Sequence, residues 1–383
     1  MKDNIVDPLF TPLKLGDITL EHRVVLAPLT RYRAPNYVPG KLMVEYYTQR
    51  ASKGGLMITE ATSISPSCGV HPNNPRVDLA ESIEGWKDVV NAIHEKGGYI
   101  FMQLNHFGRS GIPKYNAGKL PFCSTSKKLS GPVASSYPET NLDYVVPKAM
   151  DEADMIQVIN EFADAAYNAI EIIGCDGVEL HGANGYLLDE FLRDDPNSRT
   201  DEYGGSVENR CKFPLRVLDA VIARLGGKSS KVGFRISPWD KFQEMNDSNP
   251  TENFRYICSQ LELRNLAYVH AIEARSDSNG GRENDAKSIE ASDPLLISTV
   301  AQLKGSLPNT ALISAGGWDS SNSLGIVGVS GLDLLAYGRH FLANPDLPLR
   351  LKNGYSLNPY DRDTFYSALD PRGYVDYPFY SGI

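Results

Sequence analysis

The sequence predicts an α/β fold, a closed (β/α)8 barrel, and two observations lead to that prediction. First, eight short apolar runs recur along the 383 residues, each followed by a polar or glycine-rich loop and a helical stretch. Their branched residues and lack of clean alternation are typical of parallel strands buried on both faces. Second, polar residues follow the runs at the same end, as they do around a barrel mouth. The runs span 24–28, 56–61, 99–104, 177–180, 232–237, 266–273, 311–317 and 332–338.

The segments between the runs support the same architecture. Helical spacing of apolar residues predicts helices over 81–96 and 151–173. Alternating strands and helices would also fit a large doubly wound sheet, but the count of eight favours the barrel. No G-x-G-x-x-G follows the first run, as a dinucleotide-binding sheet would require. Residues 13–20 predict a hairpin that turns at Gly16-Asp17 and caps the N-terminal mouth. We expect one domain over residues 1–383, with extended surface loops.

Composition argues against several classes of function. A net charge of −9 and a pI near 5.4 disfavour a nucleic-acid or anionic-membrane partner. The five cysteines are odd in number and form no C-x-x-C pair, which fits reduced thiols in the cytoplasm. We find no secretory signal, no apolar stretch of about 18 residues and no Cys/His cluster. The expectation is a cytoplasmic, metal-free protein, monomeric or homodimeric, acting on small molecules.

The last two strand ends predict a phosphate site. Gly316-Gly317 can bring backbone N–H groups close to an anion because glycine has no obstructing Cβ. Gly338-Arg339 follows the next run, and Arg339 can add a charge-assisted contact. Phosphate sites after strands seven and eight recur in barrels. A pair of glycines alone is more simply explained as a tight turn. Because Arg339 lies at the neighbouring strand end, we predict a phosphate site instead.

The fourth strand end predicts a site for a carbonyl group. His181, Asn184 and Tyr186 lie within six residues of a glycine-rich turn. His181 and Asn184 can both donate hydrogen bonds to one oxygen, which polarises a carbonyl and stabilises an enolate. Tyr186 is a phenol that keeps its proton at neutral pH and can act as a general acid. Each residue alone has a structural explanation, but three polar groups at one strand end favour catalysis.

These residues lie within a longer resemblance. The segment HGANGYLLDEFLRDDPNSRTDEYGGSVENR (181–210) resembles the old yellow enzyme family, which includes yeast-type NADPH dehydrogenases and plant 12-oxophytodienoate reductases. Further similar segments are APLTRYRA (27–34), QLNHFGR (103–109), FRISPW (234–239), AGGWD (315–319), LLAYGRHFLANPDLPLRL (334–351) and RDTFY (362–366). The resemblance covers nearly the whole chain. Thr30, where a distinct bacterial branch carries Cys, and Tyr366 place the chain nearer the classical branch.

The resemblance implies an FMN cofactor across the barrel mouth. Residues after the first two strands would contact the isoalloxazine, Gln103 its pyrimidine end, and Arg235 the negative charge near N1 of reduced flavin. Gly316, Gly317 and Arg339 would bind the ribityl phosphate, in agreement with the residue chemistry above. The full implied cofactor set is Pro28, Leu29, Thr30, Ala61, Gln103, Arg235, Gly316, Gly317, Trp318, Gly338 and Arg339.

The resemblance also implies a reaction in two halves. NADPH would reduce FMN, and hydride would then pass from the flavin to the β-carbon of an α,β-unsaturated carbonyl compound. His181 and Asn184 would hold the carbonyl oxygen while Tyr186 protonates the α-carbon. Phe242 and Tyr366 match family positions that line the substrate pocket.

One position departs from the family pattern. The family usually has Trp after Gln-Leu in the third loop, where this chain has Asn105. Losing the indole enlarges the pocket and adds a polar group, so we expect altered substrate orientation. Phe107, two residues later, would restore part of the apolar wall.

Two other functions remain open at the level of the sequence. A non-redox phosphate-binding barrel enzyme would need a catalytic carboxylate pair or a Schiff-base lysine. Glu60 and Glu273 could form the pair, but no lysine ends a strand. We expect these carboxylates instead to compensate buried charges such as Arg235 or Arg275. A flavin-containing protein that sequesters phenols or quinones without turnover would use the same His181 and Asn184. The other histidines, His270 among them, are given no role, and loops 111–147 and 276–290 are expected to complete the pocket.

Overall fold

The computed structural model describes residues 6–133, 142–274 and 298–382, and all eight predicted runs form strands there. Strand β8 pairs with β1, and β2 pairs with β3, so one parallel sheet closes on itself. The predicted (β/α)8 barrel is therefore confirmed. The strands are β1 Val24–Leu26, β2 Leu56–Ile58, β3 Tyr99–Asn105, β4 Gly177–Gly182, β5 Val232–Ile236, β6 Tyr268–Ile272, β7 Ala311–Ala315 and β8 Leu334–Tyr337.

Helices surround the sheet, and local chemistry fixes their ends. The predicted helix over 151–173 begins at a capping box between Asp151 and Asp154 and ends in a π-helical turn before Gly174. The helix predicted over 81–96 is confirmed and stops before Gly97, whose φ is 72°. The described helices are α1 Lys41–Arg50, α2 Ala80–Glu95, α3 Glu152–Tyr167, α4 Leu187–Leu192, α5 Val207–Arg224, α6 Pro250–Glu262, α7 Arg339–Ala343 and α8 Leu347–Asn353. None of these helices is long and apolar enough to cross a membrane.

Alternation along each strand separates two environments. On β4, Val178 and Leu180 belong to the large apolar cluster shared with the helices, whereas Glu179 and His181 are the alternate residues and face the barrel interior. The same alternation places Gln103 on β3 inside the barrel. The interior thus changes from apolar side chains near the strand starts to polar ones near the strand ends.

The N-terminal hairpin closes one end of the barrel. Its strands, Leu13–Leu15 and Ile18–Leu20, pair antiparallel, and their leucines join the apolar cluster of the barrel interior. A Cβ on Gly16 would lie 2.0 Å from the carbonyl oxygen of Ser230, just before β5. The hairpin therefore covers the N-terminal mouth as predicted, and the polar strand ends remain at the opposite mouth.

Candidate active site

His181 lies at the end of β4, beside Arg235 of β5. The strand register pairs these two residues, and Arg235 pairs in turn with His270 of β6. Burial, followed by the positive charge of Arg235, lowers the pKa of His181 well below its ordinary value. Its Nδ1 is buried without a hydrogen-bond partner among the described residues. A neutral imidazole that presents one N–H suits donation to a substrate oxygen.

Tyr186 is the residue immediately before α4, and its ring lies against two neighbouring rings. Its ring centroid is 5.2 Å from that of His181 and 4.9 Å from that of Phe107, both at steep interplanar angles. Burial raises the pKa of Tyr186, and the nearby phenols of Tyr32 and Tyr366 raise it further. The phenol therefore keeps its proton at every physiological pH. It can deliver that proton only to a strongly basic centre, such as the carbanion side of an enolate.

Asn184 combines a structural and a chemical role. Its φ of 57° is left-handed, and its backbone N–H donates to Ser237 Oγ at 2.8 Å. Its side-chain Nδ2 donates to Asp240 Oδ2 at 3.0 Å. Because a carboxylate only accepts hydrogen bonds, the amino group of the amide must face Asp240. Asp240 thereby fixes which end of the Asn184 amide carries the donors.

The predicted phosphate residues lie on neighbouring strand ends. Gly316 and Gly317 follow β7 with φ of 112° and 71°, and Gly338 follows β8, which pairs with β7. A Cβ on Gly338 would lie 3.2 Å from Leu29 Cδ2, so glycine lets the loop after β1 pack against the end of β8. Arg339 donates to Tyr360 OH at 3.1 Å. Left-handed glycines beside an arginine fit a phosphate group.

Trp318, the remaining residue of the implied phosphate set, is buried. Its Nε1 donates to Ser314 Oγ at 3.0 Å. In the structure the indole therefore anchors the turn after β7 to the strand itself.

Three of the residues expected to contact the flavin ring, Gln103, Ala61 and Arg235, lie near the ends of β3, β2 and β5 and are called the floor of the site. Gln103 and Ala61 are buried, and Gln103 Nε2 donates to Glu179 Oε1 at 2.7 Å. Arg235 Nε is buried with no hydrogen-bond partner among the described residues. Burial lowers the pKa of Arg235, whereas Glu179 opposes that shift. An unpartnered buried guanidinium N–H calls for an acceptor, and the carbonyl edge of a flavin supplies one.

The expected contact between the buried carboxylates and Arg235 is not formed. Glu273 accepts hydrogen bonds from Ser298 Oγ at 2.6 Å and Thr299 Oγ1 at 2.8 Å. Glu60 accepts from the backbone N–H of Arg31 at 3.2 Å. Local backbone and hydroxyl donors, which pattern reasoning overlooks, satisfy Glu273 and one oxygen of Glu60, whose Oε1 is buried without a hydrogen-bond partner among the described residues. Arg275 and the loop 276–290 lie outside the described residues, as do 134–141 of the loop 111–147.

Glu60 makes the stability of the fold decrease as the pH rises from acid to neutral. Burial raises its pKa from 4.5 to about 7, so the folded state binds a proton that the unfolded state releases. This contribution to stability is present below pH 4.5 and is lost as the pH rises through 7. Between pH 5 and pH 8 we expect the wild type to lose about 3 kcal/mol of unfolding free energy that the Glu60→Gln variant, which cannot ionise at this position, does not lose. Denaturant unfolding of both proteins at pH 5 and at pH 8 measures this. An equal change in unfolding free energy between the two pH values in both proteins would contradict it.

Phe242 and Tyr366 occupy the edge of the same mouth. The backbone N–H of Phe242 donates to Asp240 Oδ1 at 3.0 Å, next to Asn184. Tyr366 is half exposed and lies 5.8 Å from the ring of Tyr32. Both positions suit a substrate-pocket wall, as the resemblance implies.

Several residues of the site escaped the sequence analysis. Tyr32 and Tyr144 interact electrostatically with the Tyr186 phenol, and Asp240 holds Asn184. His270, which was given no role, bonds through Nδ1 to Glu179 Oε2 at 2.9 Å. Two of them had a signal in the sequence, since Asp240 follows the segment FRISPW and Tyr32 lies within the segment APLTRYRA.

The closed barrel, the left-handed glycines after β7 and the unpartnered Nε of Arg235 are compatible with one class of protein, the flavin mononucleotide oxidoreductases. A family model described as the NADH:flavin oxidoreductase / NADH oxidase family matches residues 8–358, and the chain belongs to that family. The fold and the site thus agree with an independent comparison of the sequence.

Similar proteins support the assignment. The flavin oxidoreductase hxnT of Emericella nidulans is 42% identical, with 98% of each chain covered. The 12-oxophytodienoate reductase 1 of Oryza sativa is also 42% identical, over 98% of this chain and 94% of its own. Morphinone reductase in complex with tetrahydroNAD has a TM-score of 0.86 and 36% identity, with 98% of both chains covered. The resemblance to the old yellow enzyme family is confirmed. The protein is an FMN-dependent NAD(P)H oxidoreductase acting on C=C bonds.

Proposed function

We propose that this protein is an ene-reductase that uses NADPH and reduces α,β-unsaturated carbonyl compounds, with Tyr186 as the proton donor. The observation that carries the proposal is the grouping of a neutral His181, an oriented Asn184 amide and a protonated Tyr186 at one strand end. The 12-oxophytodienoate reductase 1 of Oryza sativa supports the reaction class. Family membership favours this function over a non-redox barrel enzyme.

The residues divide the chemistry among them. FMN, when bound by the loops after β1, β7 and β8, supplies a hydride to the β-carbon of the substrate. His181 and Asn184 donate hydrogen bonds to the carbonyl oxygen and stabilise the charge that develops there. Tyr186 delivers a proton to the α-carbon, and Phe107 holds the phenol ring edge-on. Arg235 compensates negative charge at the floor of the site.

An anaerobic titration tests the proposal directly. NADPH should bleach the yellow colour of the purified protein, and cyclohexenone should restore it. Bleaching without reoxidation would instead support a flavin-containing protein that binds phenols or quinones without turnover. The rate of bleaching by NADH, compared with the rate by NADPH, gives the nucleotide preference. A colourless protein that retains no FMN would overturn the proposal altogether.

Asn105 is the position at which we expect selectivity to differ from relatives with Trp. Its side chain is fully buried, and neither its Oδ1 nor its Nδ2 has a hydrogen-bond partner among the described residues. Phe107, packed on Tyr186, supplies part of the apolar wall. We expect Asn105→Trp to change the enantiomeric excess of the product from prochiral enones. The indole would occupy the space that Trp takes in such relatives and would thereby change the orientation of the alkene. Chiral chromatography measures this, and an unchanged excess across several enones would contradict it.

A further inference from the structure

We infer that Glu179 is a positioning residue for the flavin: it fixes the orientation of the Gln103 carboxamide and places a negative charge beneath the cofactor, opposite Arg235. The inference rests on FMN as the cofactor and is independent of the substrate proposed above. It assigns a function to the Glu179–His270 pair, which the reaction itself does not use.

The geometry places Glu179 at the centre of a buried polar network. Glu179 and His270 are both fully buried in the barrel interior. Glu179 Oε1 accepts from Gln103 Nε2 at 2.7 Å, and Glu179 Oε2 accepts from His270 Nδ1 at 2.9 Å. The strand register pairs Gln103 with Glu179, so the first contact follows from the sheet itself. Each carboxylate oxygen therefore holds one neighbour from a different strand.

The carboxylate decides which way the Gln103 amide points. An ionised carboxylate only accepts hydrogen bonds, so the amino group of Gln103 must face Glu179. The carbonyl oxygen of that amide then points away from Glu179. An acceptor in that direction suits the N–H of a flavin pyrimidine ring, which is the group that Gln103 is expected to meet. Without Glu179 the amide could rotate and present its amino group, which would oppose that N–H.

The network keeps its negative charge despite burial. Burial alone would raise the pKa of Glu179, but the contacts with His270 and the Arg235 guanidinium outweigh it and lower the pKa. Burial lowers the pKa of His270 against the opposing effect of Glu179. An ionised Glu179 carboxylate that accepts a hydrogen bond from His270 Nδ1 agrees with the lowered pKa of Glu179, and His270 Nε2 has no partner among the described residues. Glu179 and Arg235 thus place opposite charges at the floor of the site.

The charge has a consequence for the redox potential. Reduced flavin carries negative charge at its pyrimidine end, which Arg235 stabilises and Glu179 destabilises. Neutralising Glu179 should therefore make the bound FMN easier to reduce. A residue that only fills the barrel core would change protein stability without moving the potential.

Two substitutions separate the effect of the orientation of the Gln103 amide from the effect of the negative charge of Glu179. Glu179→Gln removes the charge and allows the Gln103 amide to rotate, so we expect FMN to bind about tenfold more weakly, the upper end of the loss typical of one neutral hydrogen bond, with a more positive two-electron potential. Glu179→Asp keeps the charge but shortens the side chain, so FMN binding should weaken without that positive shift. The dissociation constant follows from flavin fluorescence, and the potential from equilibration with a reference dye.

Glu190→Gln is the matched control. Glu190 is also a fully buried carboxylate, but it lies on α4 and accepts from the backbone N–H of Arg109 at 2.8 Å. This variant should leave the FMN dissociation constant and potential at their wild-type values. A wild-type potential in Glu179→Gln, or a more negative one, would overturn the inference. If Glu179→Gln does not fold, unchanged FMN binding in Glu179→Asp overturns it instead. Wild-type protein that binds FMN but is not reoxidised by enones would contradict only the proposed function.

Discussion

Tyr186→Phe is expected to slow enone reduction by about 10² to 10⁴-fold, the usual contribution of a positioned general acid. The reduction of FMN by NADPH should remain at the wild-type rate, since no proton from Tyr186 is needed in that half-reaction. The phenylalanine ring preserves the edge contacts with Phe107 and His181, so the fold of the loop is retained. Anaerobic stopped-flow absorbance of the flavin measures the two half-reactions separately.

Three neighbouring phenols provide matched controls. Tyr32, Tyr144 and Tyr366 all interact electrostatically with Tyr186 and could in principle supply a proton. Their phenylalanine variants should each retain the oxidative half-reaction within a few-fold, because each keeps its ring and leaves the Tyr186 proton in place. A large loss in one of them, with Tyr186→Phe near wild type, would assign the acid to that tyrosine instead.

The barrel could be predicted from the sequence because its strands are buried on both faces. Short, mostly apolar runs without clean alternation, such as 232–237, are typical of such strands, and the count of eight favours the barrel over a doubly wound sheet. The strand ends were equally informative about the site, because the loops that follow parallel strands all lie at one mouth of the barrel. The sequence therefore predicts His181, Arg235 and Gly338 in a common site.

The polar network inside the barrel could not be predicted in the same way. A histidine or glutamate within a strand has no local signal, and the partners Glu179 and His270 lie 91 positions apart. Their pairing depends on the closed geometry of the sheet. Glu60 shows the same limit, because its donor is a backbone N–H that every residue type can supply.

Asn184→Gly should lower the rate of the oxidative half-reaction by about 100-fold, the typical cost of one oxyanion donor. Glycine is the appropriate replacement because Asn184 has a left-handed φ of 57°, which alanine would adopt only with strain. The variant therefore removes the carboxamide and leaves the backbone turn intact. Reduction of FMN by NADPH serves as the internal control for folding and cofactor binding.

Asp240 provides the test of how Asn184 is held. The Asp240 carboxylate fixes the amide through the 3.0 Å hydrogen bond from Asn184 Nδ2, whereas an amide at position 240 could present either its oxygen or its nitrogen. We expect Asp240→Asn to slow the oxidative half-reaction by about tenfold in the wild-type background and to have no further effect in Asn184→Gly. Such non-additivity means that Asp240 acts through Asn184. A faster rate in Asp240→Asn alone would instead show that the repulsion between its charge and the developing enolate exceeds the benefit of orienting the amide.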